Sequence, residues 1–313
     1  MLYLRNVVPF VPEHSTAIPD MREALGVPEA EIRLLTRFLG LERIVTAEGL
    51  TTLDMLLSLG QEALAGVDRS LVRYLIHAHT VQHVAPPALR WMDVLRDKLG
   101  LAEAGAFSMS HQGCVIGLSA LRAAEALLGA EPVGSTALIL IGEKALSPVM
   151  QHIPGTSVLG DATAGVLVAL DGPGDALLST AHRTLGEFHR ARHMSEELAQ
   201  RYRQAYTPTL ASVMLEAVHG AGLEIGEVDL VLPHNVNRYS WTATARRLGL
   251  PLERVYLENV PTMGHCFCAD PFVNLSTARA ENAVRPGETV LMVSAGQGGT
   301  FAAAVARTAA REE

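Results

Sequence analysis

The strongest constraint on this chain is a repeated order of short apolar segments, each feeding a turn and then an amphipathic stretch. Thr136-Ala-Leu-Ile-Leu-Ile-Gly142 and Thr289-Val-Leu-Met-Val-Ser-Ala295 have almost no polar alternation, the pattern of strands buried on both faces. Met1 to Val8 reads as a first strand, Val72 to Thr80 as a strand ending in polar residues, and Val158 to Leu170 as a tight turn feeding a further strand. Helices are expected around 28–39 and 51–65, and over Ala88 to Leu99 behind Pro86-Pro87, because proline is tolerated in a first helical turn. Beyond a Gly172-Pro-Gly174 break the order recurs. Val228 to Asn237 is a strand ending in polar groups, Ser240 to Leu248 a helix closed by Gly249, and Val255 to Asn259 a strand. A helix reaching about Val284 follows, then the Thr289 strand and a small-residue strand, Thr300 to Ala306.

The chain therefore reads as a duplicated unit, residues 1–172 and 173–313. Gly113-Cys114 in one half matches Gly264-His265 in the other, and His234 holds the place of His77–Thr80. Strands alternating with helices imply mostly parallel sheets covered by helices, with ligands gathering at strand carboxyl ends. Cys114, His234 and His265 all fall at such ends, so a pseudo-twofold brings them to one centre. The segment 181–208 is charged, carries His182, His189 and His193, and lacks a first-half counterpart. It is expected to be a surface insertion or a substrate-side cap.

Cys114 stands out chemically. Behind it Leu118, Leu121, Ala124, Leu127 and Leu128 fall on one stripe, so the cysteine opens a long apolar helix. Unpaired N–H groups and the positive dipole end at such a start stabilise a thiolate, a nucleophile suited to thioesters.

Composition narrows the partners. The net charge is -8 and no basic run occurs, which argues against nucleic acid and anionic membrane. No membrane span is indicated, and the opening residues lack a secretory layout. Three cysteines, two of them at 266 and 268, suit free thiols in a reducing cytoplasm. Cys266 and Cys268 beside His265 lack a second ligand pair, so no zinc site is expected. His77 and His79 share one strand face and are expected as core or interface histidines. His111 is given no catalytic role, and Met263, Phe267 and Phe272 are taken as pocket wall or core.

Several motifs in order resemble the β-ketoacyl-ACP synthase III type of the thiolase superfamily, over essentially the whole length. Pro233-His-Asn-Val-Asn-Arg238 resembles that family's Pro-His-Gln-Ala-Asn motif, and Gly160-Asp-Ala-Thr-Ala-Gly165 its Gly-Asp-Gly-Ala-Gly turn. Gly264-His-Cys-Phe-Cys-Ala269 stands in the place of Gly-Asn-Thr-Ser-Ala-Ala. Gly296 to Thr300 resembles the glycine-rich end, and Thr36-Arg37 the Thr-Arg-Thr-Gly stretch. The resemblance implies an αβαβα layered sandwich of two similar halves and a homodimer. It implies no tightly bound cofactor, and as substrate the phosphopantetheine thioester of an acyl carrier protein or a coenzyme A thioester. Cys114 becomes the acyl-accepting nucleophile and His234 the histidine that donates hydrogen bonds or exchanges protons. The backbone N–H groups of Cys114 and Gly298 become an oxyanion hole. Beyond the resemblance, Asp270 and Asn237 are candidates for catalytic support.

Two departures carry information. The family asparagine is His265 here, which can take a proton from an acceptor as well as donate to an enolate. Asp270, five residues on, could orient an imidazole in Cys–His–Asp fashion or cap the following helix. The family tryptophan that stacks adenine is replaced by Arg33; Arg33 and Arg37 can meet phosphates, which favours a carrier-bound donor. The leading expectation is acyl transfer to a small hydroxyl, amine or thiol acceptor, with His265 serving only the acceptor step. The rivals are decarboxylating condensation that starts fatty acid or polyketide chains, and a catalytically silent partner subunit.

Overall fold

Thr136–Ile141 and Thr289–Gly296, the segments without polar alternation, are strands in which every residue is buried. The computed structural model describes residues 1–86 and 88–309. Its main sheet holds β1 (Leu2–Phe10), β2 (Val72–Ala78), β3 (Gly105–Met109), β4 (Thr136–Ile141), β5 (Thr163–Ala169), β6 (Asp175–Thr184), β7 (Leu230–Leu232), β8 (Thr289–Gly296) and β9 (Thr300–Arg307). Their order is β7-β8-β9-β6-β1-β5-β4-β2-β3.

The duplication is written in that order. The first half runs β3-β2-β4-β5-β1: third, second, fourth, fifth, first. The second half repeats it, with Val255 bridged in parallel to Val231 in the third place, then β7, β8, β9 and β6. Strand senses match as well. The second strand is parallel to the third and fourth, and the fifth is antiparallel to the fourth and first, in both halves. The halves join where β1 pairs antiparallel with β6, from Leu2↔Leu177 to Leu4↔Asp175.

Six helices cover this framework: α1 (Thr52–Ala63), α2 (Trp91–Lys98), α3 (Ile116–Leu128), α4 (Glu196–Gly220), α5 (Arg238–Leu248) and α6 (Asp270–Ala280). α1 and α2 lie over the first-half strands, and α4 over the second-half strands with α5 against it. α3 and α6 lie between, each touching strands of both halves, which completes the expected αβαβα layering. Strand β9 shows how the layers close. Ala302, Ala304 and Ala306 face the central core, while Phe301, Ala303 and Val305 face the outer one. Alanine on the inner face leaves room for helix backbones to approach the sheet, and close packing there supplies dispersion contacts that a looser core would lose. Among the described residues no helix is long and apolar enough to cross a membrane.

Three sequence expectations need correction. The strand expected at Val255 to Asn259 is a single bridge at Val255, and Asn259–Met263 is a helical turn. The helix expected from Ala88 begins at Trp91, and Pro87 of the Pro86-Pro87 pair lies outside the described residues. The segment 181–208 does have a counterpart. It finishes β6 and begins α4, which stands between first and second strands as α1 does in the other half. Its charges mislead because they occupy the solvent face of an outer helix, where Arg201 pairs with Glu187 and Arg203 with Glu196. The inner face, four residues apart, carries Tyr202, Tyr206 and Leu210.

Candidate active site

Cys114 and His265 are presented by the same backbone device. Gly113 has φ 58° and Gly264 has φ 70°, the left-handed region that favours glycine. Cys114 follows its glycine within a 3-10 turn (Gly113–Val115), His265 stands two residues before one (Phe267–Ala269), and each turn leads into a buried helix between the layers. The Cys114 turn also lies against the glycine-rich end of β8: a Cβ at Gly113 would come within 2.9 Å of Gly296 Cα. Ser294 Oγ donates to the Cys114 carbonyl at 2.7 Å and fixes the turn from the other half.

The two corners meet. Cys114 Sγ lies 3.1 Å from His265 Nε2, and His265 Nδ1 lies 2.5 Å from Asp270 Oδ2. All three are buried; Cys114 is 7% exposed and His265 1%. Burial disfavours a charged His265 ring, but the Cys114 sulfur and the Asp270 carboxylate outweigh it and raise His265 above its ordinary value. Asp270 is the first residue of α6, yet its carboxylate turns away from the helix. It accepts the N–H of Cys266 at 2.7 Å and of Asn235 at 2.5 Å. Its side chain makes no cap hydrogen bond to α6 and meets the His265 ring instead. The Gly160–Gly165 motif holds the histidine's backbone: His265 N donates to the Val158 carbonyl and Gly160 N to the His265 carbonyl, both at 3.0 Å.

His234 reaches the same centre from the end of β7. Its ring centroid is 5.9 Å from that of His265, and its Nε2 is 2.8 Å from the Tyr206 hydroxyl of α4. Burial and the neighbouring His265 lower His234 to about 3, so the ring stays neutral near neutral pH. Sulfur, imidazole and carboxylate in contact are an arrangement that can supply a nucleophile, a base and an orienting group. The second, neutral imidazole stands beside them.

The other expected residues fall in different places. Asn237 caps α5, accepting from Ser240 N at 2.8 Å, and its amide donates to the Thr156 carbonyl at 3.0 Å; both ends are committed to local structure. Gly298 lies in the β8–β9 turn at φ 96°. Arg33 and Arg37 are exposed on the 29–38 helical stretch, with Arg33 3.8 Å from Glu29. His77 and His79 do share a face, with ring centroids 4.7 Å apart. Phe267 and Phe272 are buried.

Sequence reasoning missed three contributors. Asn274, one turn beyond Asp270 on α6, donates to the Pro233 carbonyl at 2.7 Å and pairs with Asn235, anchoring the His234 loop. Two polar residues spaced by four among the apolar residues of the first turns of α6 were the available signal. Glu143, just past β4, accepts the N–H groups of Thr80 and Val81 at 2.7 and 2.8 Å. Burial pushes its carboxyl up to about 8, although those two N–H groups and His265 pull it back. Tyr206 gave no local signal; its partner is 28 residues away.

The chain is similar to known proteins in sequence and in fold. A family model described as the C-terminal part of 3-oxoacyl-[acyl-carrier-protein] synthase III matches residues 218–308. β-Ketoacyl-[acyl-carrier-protein] synthase III of Rhodospirillum rubrum is 28% identical over 95% of this chain and 96% of its own. The Paracoccus denitrificans protein of the same name is 28% identical over 97% and 98%. Among solved structures, the acyltransferase ChlB3 superposes with a TM-score of 0.87 at 21% identity, covering 98% of each chain. The 3-oxoacyl-(acyl carrier protein) synthase III of Pseudomonas aeruginosa gives 0.82 at 19% identity, over 100% of this chain and 99% of that one.

Proposed function

We propose that this chain, a β-ketoacyl-ACP synthase III-like member of the thiolase superfamily and a thioester-dependent transferase, is an acyltransferase working without condensation. It takes an acyl group from a carrier-protein or coenzyme A thioester onto Cys114 and passes it to a hydroxyl, amine or thiol acceptor. The observation that carries this reading is the Cys114–His265–Asp270 line.

In the first half-reaction the Cys114 proton moves to His265 Nε2 and the thiolate attacks the donor carbonyl. The donor carbon–sulfur bond breaks, and the departing thiolate takes the proton back from His265. Backbone N–H groups at Cys114 and Gly298 would hold the oxyanion, a contribution typically worth about 3 kcal/mol per donor. Acylation removes the charge on sulfur, one of the two groups that raise His265. The acyl-enzyme thus carries a neutral imidazole, still oriented by Asp270 and ready to accept a proton. The acceptor attacks the thioester carbonyl, its proton goes to His265, and Cys114 leaves as thiolate.

A second reading is decarboxylating condensation. It draws support from the names of the curated relatives and from the second imidazole, His234, whose ring centroid lies 5.9 Å from that of His265. Arg33 and Arg37 on the exposed 29–38 stretch suit the phosphates of a carrier-bound donor, and the chain is taken to work as a homodimer in the cytoplasm.

The test is intact-protein mass spectrometry with a panel of acyl thioesters, each followed by acceptors and by malonyl thioester. The expected result is acyl mass on Cys114, discharged by an acceptor, with no carbon dioxide released from malonyl thioester. Release of carbon dioxide together with a β-ketoacyl product overturns it in favour of the condensing enzyme.

A further inference from the structure

We infer that Tyr206 is a specificity-determining residue that keeps His234 from serving a malonyl substrate. This rests on the acyltransferase reading and supplies a reason for it. Decarboxylation breaks the bond between the malonyl carboxylate and its α-carbon. The electron pair passes into an enolate, whose carbon then attacks the Cys114 thioester and expels the sulfur. The enolate oxygen needs donated hydrogen bonds, and neutral imidazole N–H groups aimed at the substrate are suited to give them.

The His234 ring also interacts with the Val293 backbone of β8, and its Nε2 is taken by Tyr206. The phenol oxygen lies 2.8 Å from Nε2. Whichever atom carries the hydrogen, that nitrogen is already paired, and a malonyl carbonyl must displace the phenol to reach it. The displacement is opposed by packing. Tyr206 stacks edge-on against Phe301 at 5.7 Å and Tyr202 at 6.0 Å, and Tyr202 in turn packs on Phe188 at 5.2 Å. The Tyr202 hydroxyl reaches the Gly296 carbonyl at 3.4 Å, which ties the wall to the glycine-rich end of β8. Both phenols lie close enough to Cys114 for a charge on the sulfur to act on them. Helix α4 therefore sets a wall across the side of Cys114 where His234 stands. His265 meets the sulfur through Nε2 and, once the sulfur is acylated, is the imidazole beside the thioester.

Removing one hydroxyl should reopen the nitrogen. The experiment compares Tyr206→Phe and Tyr206→Leu with the native enzyme, each charged from acetyl-coenzyme A and then given malonyl-coenzyme A. Acyl mass on Cys114 and released carbon dioxide are both measured. Carbon dioxide release at least tenfold above native in either variant is expected, a gain that loss of packing alone would not give. Release within twofold of native in variants that still acylate Cys114 overturns the assignment, as does loss of acylation in both. The ratio of variant to native tests Tyr206, whereas the native level alone tests the acyltransferase reading.

Discussion

The Cys114 corner and the His265 corner follow one backbone plan and diverge in the helix behind it. Behind Cys114, α3 offers an apolar stripe and a bare amino terminus, and the sulfur receives no side-chain partner from its own helix. Behind His265, α6 carries Asp270 and Asn274 among buried apolar residues; Asp270 meets His265, Cys266 and Asn235, and Asn274 meets Pro233. A duplicated turn thus presents two side chains to one point, while the helices decide their chemistry. In the proposed reaction one corner supplies the nucleophile and the other the base, whose backbone is held from the first half by Val158 and Gly160.

Breaking the first corner has the largest effect. Cys114→Ala should abolish both self-acylation and transfer while circular dichroism stays native. Acyl mass appearing instead at Cys266 or Cys268 would move the nucleophile to the other corner.

Breaking the second corner comes next. His265→Asn should lower transfer about 10²- to 10⁴-fold, the usual contribution of a positioned base. The sequence alone suggested that self-acylation would survive this change, because His265 was assigned to the acceptor. Its 3.1 Å contact with the sulfur reverses that expectation. Self-acylation, followed by time-resolved mass spectrometry, should slow as well.

Asp270→Asn is milder. It keeps the shape but removes the carboxylate charge that helps raise His265. Proton transfer from Cys114 to His265 becomes less favourable, so the pH of half-maximal self-acylation should move upward, with rates at neutral pH down about tenfold. An unchanged pH profile would reduce Asp270 to a structural anchor.

The smallest effect sharpens the contrast between two of the buried carboxyl groups, Asp270 hydrogen-bonded to an imidazole and Glu143 held by two backbone N–H groups and the Cys268 thiol. Glu143 is raised to about 8 from 4.5. Its stabilising contribution is therefore complete below pH 4.5 and is lost as pH rises through about 8. Glu143→Gln carries no such dependence. The native melting temperature, measured against this variant, should fall progressively between those values and level off above them.

Much of this was legible before any coordinates. The two segments without polar alternation are the fourth strands of both halves, and the Gly113/Gly264 pairing is visible in φ as well as in sequence. Cys114, His234 and His265 do share a centre, because strand ends and helix starts follow from hydrophobic period. Which histidine touches the sulfur was not legible. That depends on how α3 and α6 cross between the layers, across 151 residues of chain. Glu143 and Tyr206 escaped for the same reason, since their partners lie 62 to 63 and 28 residues away. Asn237 misled in the opposite direction: its place in a familiar motif suggested chemistry, while an asparagine immediately before a helix is equally a cap.

The seam between β1 and β6 has a consequence for synthesis on the ribosome. β1 lies between β5 and β6, so both of its neighbours are made long after it. At ordinary translation speeds of about 5–20 residues per second, residues 163–184 follow it by on the order of ten seconds. Through that interval Leu2, Leu4, Val7 and Val8, all buried in the finished protein, have no sheet to enter. The nascent chain is most exposed to chaperones, and to mispairing with other chains, along this strand. A ribosome-bound intermediate stalled between residues 110 and 160 should hold β2 and β3 paired with β1 still open to solvent.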